Sequence, residues 1–166
     1  MAVIGIIVLI ASTKPDEWTV QRRRTIPGAP AKVFPYLDDL HKFLEWSPWA
    51  KLDPNMKLTY GVPVSGNGAN LSWEGNGKVG VGKLTITESR PNDLVRFQFD
   101  FYKPICCTNT HELVLNPEGS QTVVSWTMKG KAPFYFKLIL VFTSCDTMMA
   151  DNLENGLANL KTVVAG

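Results

Sequence analysis

Cys107, Asn109 and His111 occupy alternate positions of a segment that continues through Leu113 and Leu115. On a strand all five point to one face, here the inner one. A cysteine and a histidine are the ingredients of a nucleophile and its base, yet four residues of strand hold them about 13 Å apart, too far for proton transfer between them. The sequence offers no Ser-His-Asp set or carboxylate pair in their place, so no residue is assigned a catalytic role. The three polar residues are read as groups that hydrogen-bond one end of a cavity or orient a ligand in it. Gly75-Asn76-Gly77-Lys78-Val79-Gly80 fits the dinucleotide pattern G-x-G-x-x-G letter for letter. That pattern requires a helix after it, to bring phosphate to a helix N-terminus. A strand is expected on both sides here, so Asn76-Gly77 reads as a type I′ hairpin pair and Gly80 and Gly82 as places where the sheet bends. Neither Cys106-Cys107 nor Cys145 has zinc-ligand spacing. No metal and no cofactor are expected, and the thiols read as reduced in a cytoplasm-like compartment.

The elements that position these residues follow from periodicity. Trp18 to Ile26 reads as a first strand, closed by Pro27 and Gly28. Two short helices are expected between Pro30 and Glu45, broken near Asp38, which is placed to cap the second. Strands then follow at roughly Lys57–Gly61, Ala69–Gly75, Lys78–Arg90, Leu94–Tyr102, Thr108–Asn116 and Gln121–Lys129, separated by explicit turn residues such as Pro91-Asn92-Asp93 and Pro117-Glu118-Gly119. Phe97, Phe99 and Phe101 share one face, as do Val124, Trp126 and Met128. Pro133 to Val164 reads as one long helix whose apolar stripe runs through Leu138, Phe142, Cys145, Met149, Leu153, Gly156 and Leu160. Laid on the sheet, it would set Phe142, Met149 and Leu153 against the face of Phe99, Leu113 and Trp126, with Gly156 at the closest approach.

A chain of 166 residues, 45% apolar and 19% charged, is sized for one domain with a substantial core. Its net charge of +2 is scattered apart from Arg22-Arg23-Arg24; these alternate faces on a strand and read as a solvated edge, so no nucleic-acid partner is expected. Ala2 to Ala11 is uninterruptedly apolar. Ten residues span about 15 Å as a helix, half of a bilayer core, and no basic residues precede them as in a signal peptide. Residues 1–14 are therefore set apart as a hydrophobic segment, a partial membrane anchor, an interfacial stretch or a sticky tail, and residues 15–166 as the folded domain. The expected location is cytoplasmic, with membrane association through residues 2–11.

Strand, two short helices, antiparallel sheet and long C-terminal helix in that order resemble the helix-grip fold of the START-like superfamily, in its polyketide cyclase/dehydrase-type (SRPBCC) branch. The resemblance covers about Asp16 to Val163. It rests on Ala29-Pro30-Ala31-Lys32-Val33-Phe34, Glu45-Trp46-Ser47-Pro48-Trp49-Ala50-Lys51-Leu52-Asp53-Pro54, Trp73-Glu74-Gly75 and Gly156-Leu157-Ala158-Asn159-Leu160-Lys161. It implies an α+β domain with a curved sheet of about seven strands around the C-terminal helix. It also implies a lipid-like, aromatic or polyketide-like small molecule bound between helix and sheet but no one reaction, and the aromatic inward face without a catalytic engine makes a binder the expectation over an enzyme. The alternatives in the same family are a cyclase- or hydrolase-like enzyme working by positioning, and a co-chaperone-like interaction module. The residues expected to meet the ligand are Trp46, Trp49, Trp73, Phe97, Phe99, Phe101, Cys107, Asn109, His111, Trp126, Met128, Phe142 and Met149. A cavity of roughly 300 Å³, the lower end for ligand sites, left dry and empty would cost on the order of 7 kcal/mol.

Overall fold

Alternation along the strands decides which surface closes over the core. A computed structural model describes residues 2–166. Helix α1 (Ala2–Thr13) precedes strand β1 (Glu17–Pro27), then α2 (Pro30–Asp38) and α3 (Leu40–Trp46). Strands β2 (Lys57–Tyr60), β3 (Asn70–Glu74), β4 (Val81–Arg90), β5 (Leu94–Lys103), β6 (Cys107–Glu118) and β7 (Gln121–Lys131) follow, and then α4 (Phe134–Ile139) and α5 (Cys145–Ala165). The strands form one antiparallel sheet in the order β1-β7-β6-β5-β4-β3-β2. Phe97, Phe99, Leu113, Leu115, Val124, Trp126 and Met128 are buried on its concave face. The convex face carries polar partners: Arg96 is held by Glu88 and Glu112, and the Thr108 hydroxyl donates to Asp100 at 2.7 Å. This is the helix-grip architecture.

α5 packs along β1 rather than over the middle of the sheet. Gly156 makes this possible, because a Cβ there would lie 2.5 Å from the Trp126 ring. Arg22 faces the helix and donates to Asp146 (2.8 and 2.9 Å) and Glu154 (2.9 Å), so this member of the arginine run is an inter-element tie and not a solvated edge. Asn159 Nδ2 donates to the Trp46 carbonyl at 3.1 Å, and Trp46 Nε1 donates to the Tyr36 carbonyl at 2.8 Å, which joins α5, α3 and α2.

The structure corrects four further expectations. The C-terminal helix is two helices: the chain turns between Ile139 and Cys145, and Ser144 caps α5 by accepting from the Thr147 amide at 3.0 Å. An apolar stripe that continues across the break hid that start signal, a serine followed by Asp146 in the first turn. The turn lifts Phe142 into solvent, 77% exposed, so it does not touch the sheet face. The cap of α3 is Asp39, which accepts from the His41 amide at 2.8 Å, while Asp38 accepts from the Ser89 hydroxyl. Residues 75–80 are a longer connection and not a two-residue hairpin. In it Asn76 Oδ1 accepts from the Lys78 amide at 2.8 Å and Gly80 takes the positive φ of 65°.

α1 is apolar on every side. It runs beside α4, with Ala11 buried and Val3, Ile4, Ile6 and Leu9 exposed; behind it the buried Lys137 donates to Asp16 at 2.5 Å. Among the described residues no helix is long and apolar enough to cross a membrane.

The Gly156 contact makes a direct prediction. Alanine is ordinarily the better helix former by about 1 kcal/mol, but here its methyl meets a rigid, fully buried indole, and overpacking of that kind costs roughly 1–3 kcal/mol. Gly156→Ala is expected to lower stability in urea denaturation, whereas Gly77→Ala, with open space around it, is expected to be near neutral. An unchanged or raised stability for Gly156→Ala would contradict the packing described.

Candidate functional site

Between the concave face and a roof made of α3 and the segment after it lies an apolar cavity of about 180 Å³. Its floor is the inward side of five strands: Leu71 and Trp73 of β3, Leu84 of β4, Phe99 and Phe101 of β5, Asn109 and His111 of β6, and Met128 of β7. The roof is Phe43 and Leu44 of α3 with Ser47, Trp49, Ala50 and Met56, and Leu58 closes one side. Of the C-terminal helices only Met149 contributes. The cavity therefore lies under α3, displaced from the expected place between long helix and sheet, because α5 is drawn to β1 and Trp126.

A roof built from irregular chain needs its own restraints. The buried Asp53 carboxylate accepts from the backbone amides of Asn55 (3.1 Å) and Asn76 (2.7 Å), and Asn76 Nδ2 donates to the Leu52 carbonyl at 3.3 Å. The roof segment is thereby tied to the β3–β4 connection. That connection also orients Trp73, whose Nε1 donates to the Val79 carbonyl at 3.0 Å, leaving the indole against Phe99 and Phe101. Gly82 leaves room for it: a Cβ there would strike the Trp73 ring and lie 2.6 Å from the Asp100 carbonyl. Lys78, exposed, stands at the rim.

His111 is the polar centre of the depth. It is 2% exposed, stacks on Phe99 with ring centroids 4.2 Å apart, and meets the edge of Trp49 at 5.9 Å. Trp126 Nε1 donates to His111 Nδ1 at 3.3 Å, and His111 Nε2 is buried without a partner. Burial among rings pushes its pKa down to about 3, so the imidazole is neutral at physiological pH.

Of the residues expected at the ligand, Trp49, Trp73, Phe99, Phe101, Asn109, His111, Met128 and Met149 line this cavity. Trp46, Phe97 and Trp126 are completely buried behind it, in the layer that supports the wall. Cys107 is exposed, at the end of β6, where it lines a larger open groove with Cys106, Lys129, Lys131 and Tyr135. Phe142 lies in solvent. The groove, at about 700 Å³, exceeds the cavity in volume, but it is more open to solvent and carries Glu17, Lys129 and Lys131 among its lining residues. Sequence reasoning passed over Phe43, Leu44, Met56, Leu58, Leu71, Val79 and Leu84. Leu71 shares the strand face of Trp73, and that alternation was the available signal; the roof residues carry no periodic signal.

The sequence matches the family described as polyketide cyclase / dehydrase and lipid transport over residues 17–165. No curated protein matches the chain. Among solved structures, protein CV1439 from Chromobacterium violaceum superposes with a TM-score of 0.64 at 13% identity, covering 89% of this chain and 97% of that one. The Aha1 dimer from Colwellia psychrerythraea gives 0.60 at 18% identity, covering 89% and 96%. Ara h 8.0201 gives 0.59 at 12% identity, covering 90% and 98%. At these identities the likeness is one of fold.

The neutral His111 couples stability to pH. Folded, it stays unprotonated down to about pH 3; unfolded, it takes a proton near pH 6.5. Between those values the unfolded state binds more protons, so the contribution is complete above pH 6.5 and is lost as pH falls, at up to about 1.4 kcal/mol per unit. Urea titrations from pH 7 to pH 4 are expected to show this slope, and His111→Gln, which has no titrating ring, is expected to flatten it. An equal slope in the variant would assign the acid sensitivity to other groups.

Proposed function

We propose, for a chain that belongs to the polyketide cyclase / dehydrase and lipid transport family, that it binds an apolar small molecule of lipid-like, aromatic or polyketide-like kind in the cavity beneath α3. The observation that carries this reading is an apolar space, partly open at its rim, walled by Phe43, Trp49, Trp73, Phe99 and Phe101. At about 24 cal/mol per Å³, 180 Å³ kept dry and empty costs on the order of 4 kcal/mol, a large part of the 5–15 kcal/mol typical of a domain. An apolar occupant offsets that cost. Engineered apolar cavities of about 150 Å³ hold one benzene, so the closed space suits one or two fused rings or a short chain, and a longer molecule would emerge at the rim beside Lys78. We assign this role to residues 15–166 and place α1 outside it.

A reaction in the same cavity would have to proceed by positioning. Among the residues that line it the titratable groups are the neutral His111 and the rim Lys78, and no nucleophile stands beside a base. The presence of the cavity favours a small-molecule ligand over a pure protein-interaction role.

Substitutions that fill the space test the reading. Leu58 and Ala50 line the cavity and are half-buried, so Leu58→Trp and Ala50→Trp can add volume without rebuilding the core. Both are expected to weaken binding of the neutral fluorophore N-phenyl-1-naphthylamine by about tenfold, equivalent to about 1.4 kcal/mol, with thermal midpoints within a few degrees of wild type. Probe binding unaffected by both variants would place the ligand elsewhere.

A further inference from the structure

His111 Nε2 is a buried polar atom that exposes less than 1 Å² and has no hydrogen-bond partner among the described residues. Leaving such a group unpaired is unfavourable, and native structures retain few of them. The residue that binds the other nitrogen settles what Nε2 can do. An indole N–H only donates, so Nδ1, which receives it from Trp126 at 3.3 Å, must carry the lone pair. A neutral imidazole with its lone pair on Nδ1 carries its proton on Nε2. The unpartnered atom is therefore a donor, held on a ring that lines the cavity and is fixed by its stack on Phe99.

We infer that the cavity recognises apolar molecules bearing an uncharged oxygen acceptor, of the ketone or aryl-carbonyl class, through a hydrogen bond from His111 Nε2–H; this rests on the ligand-binding reading above. Charge argues against a carboxylate at this depth. The rings facing His111 from β5, β7 and the roof are Phe99, Trp126 and Trp49, Met128 stands opposite it on β7, and the one cation at the cavity, Lys78, is at the solvent rim. A buried anion there would have no charged partner, which is costly, whereas a carbonyl needs only the one donor that is waiting. Asn109, two residues along β6 and also on the lining, makes no side-chain hydrogen bond among the described residues and offers an amide to a second ligand oxygen. Trp49 and Met149 are only half-buried; they share the wall with His111 and can turn aside to admit the oxygen.

The test compares two planar, near-isosteric probes, 2-acetylnaphthalene and 2-isopropenylnaphthalene, by displacement of N-phenyl-1-naphthylamine. His111→Phe keeps an aromatic ring but no donor, and is expected to lower the ketone-to-alkene affinity ratio by about tenfold, through loss of the ketone with the alkene little changed. His111→Gln, whose amide both accepts from Trp126 and donates, is expected to retain most of the wild-type ratio. In the wild-type protein, long-range ¹H–¹⁵N spectra are expected to show Nε2 protonated and Nδ1 bare from pH 7 to pH 5, with Nε2 shifting on addition of the ketone. This measurement does not depend on either variant folding. An Nδ1–H tautomer, an imidazolium at pH 5, or a ratio unchanged in His111→Phe would overturn the inference while leaving the cavity as a binding site. Failure of the wild type to bind either probe would overturn the binding reading itself, and the inference with it.

Discussion

The indole of Trp126 meets three elements at once. Its ring lies against the bare backbone of α5 at Gly156, it packs nearly perpendicular to Trp46 with ring centroids 5.4 Å apart, and its N–H is given to His111. A Cβ at position 156 would strike the indole, and a ring without a donor at 126 would leave His111 Nδ1 without its hydrogen bond. The close approach draws α5 to the β1–β7 side of the sheet, where Arg22 binds Asp146 and Glu154. Because the helix is held there, the opposite half of the concave face is left for α3 and the roof segment to cover. The cavity is the space that this division leaves.

Coverage by a roof of irregular chain has a physical consequence. Strand floors are rigid through their ladders, but residues 47–56 depend on the Asp53 carboxylate and the Asn76 side chain for their restraint. The arrangement fixes the segment without filling the space beneath it. The floor supplies shape through Trp73 seated over Gly82, and His111 stands at its depth.

Much of this was legible in the residues. Alternation in β5, β6 and β7 assigned Phe97, Phe99, Leu113, Leu115, Val124, Trp126 and Met128 to the concave face, where they are buried, because the period of a strand is rigidly two. Gly156 was legible as a contact because glycine in an amphipathic helix has few other uses. Depth was not legible: alternation cannot distinguish Phe99, on the lining, from Phe97 or Trp126 behind it, since that depends on the curvature of the sheet. Cys107 keeps the alternation yet lies past the edge of the covered region, and Phe142 keeps the helical period across a break that Ser144 creates. The roof residues Phe43, Leu44 and Met56 were missed because their positions follow from tertiary ties, such as Asp53 to Asn76, that no local pattern records.

Methionine placement provides the most direct test that the cavity is where apolar ligands bind. Met56, Met128 and Met149 line it, while Met148 is exposed next to the last of them and outside the lining. With ¹³C-methyl methionine labelling and titration of 2-acetylnaphthalene, the account predicts saturable shifts of the Met56, Met128 and Met149 methyl signals with a common dissociation constant, while Met148 moves little. Shifts confined to Met148, or none that saturate, would contradict it.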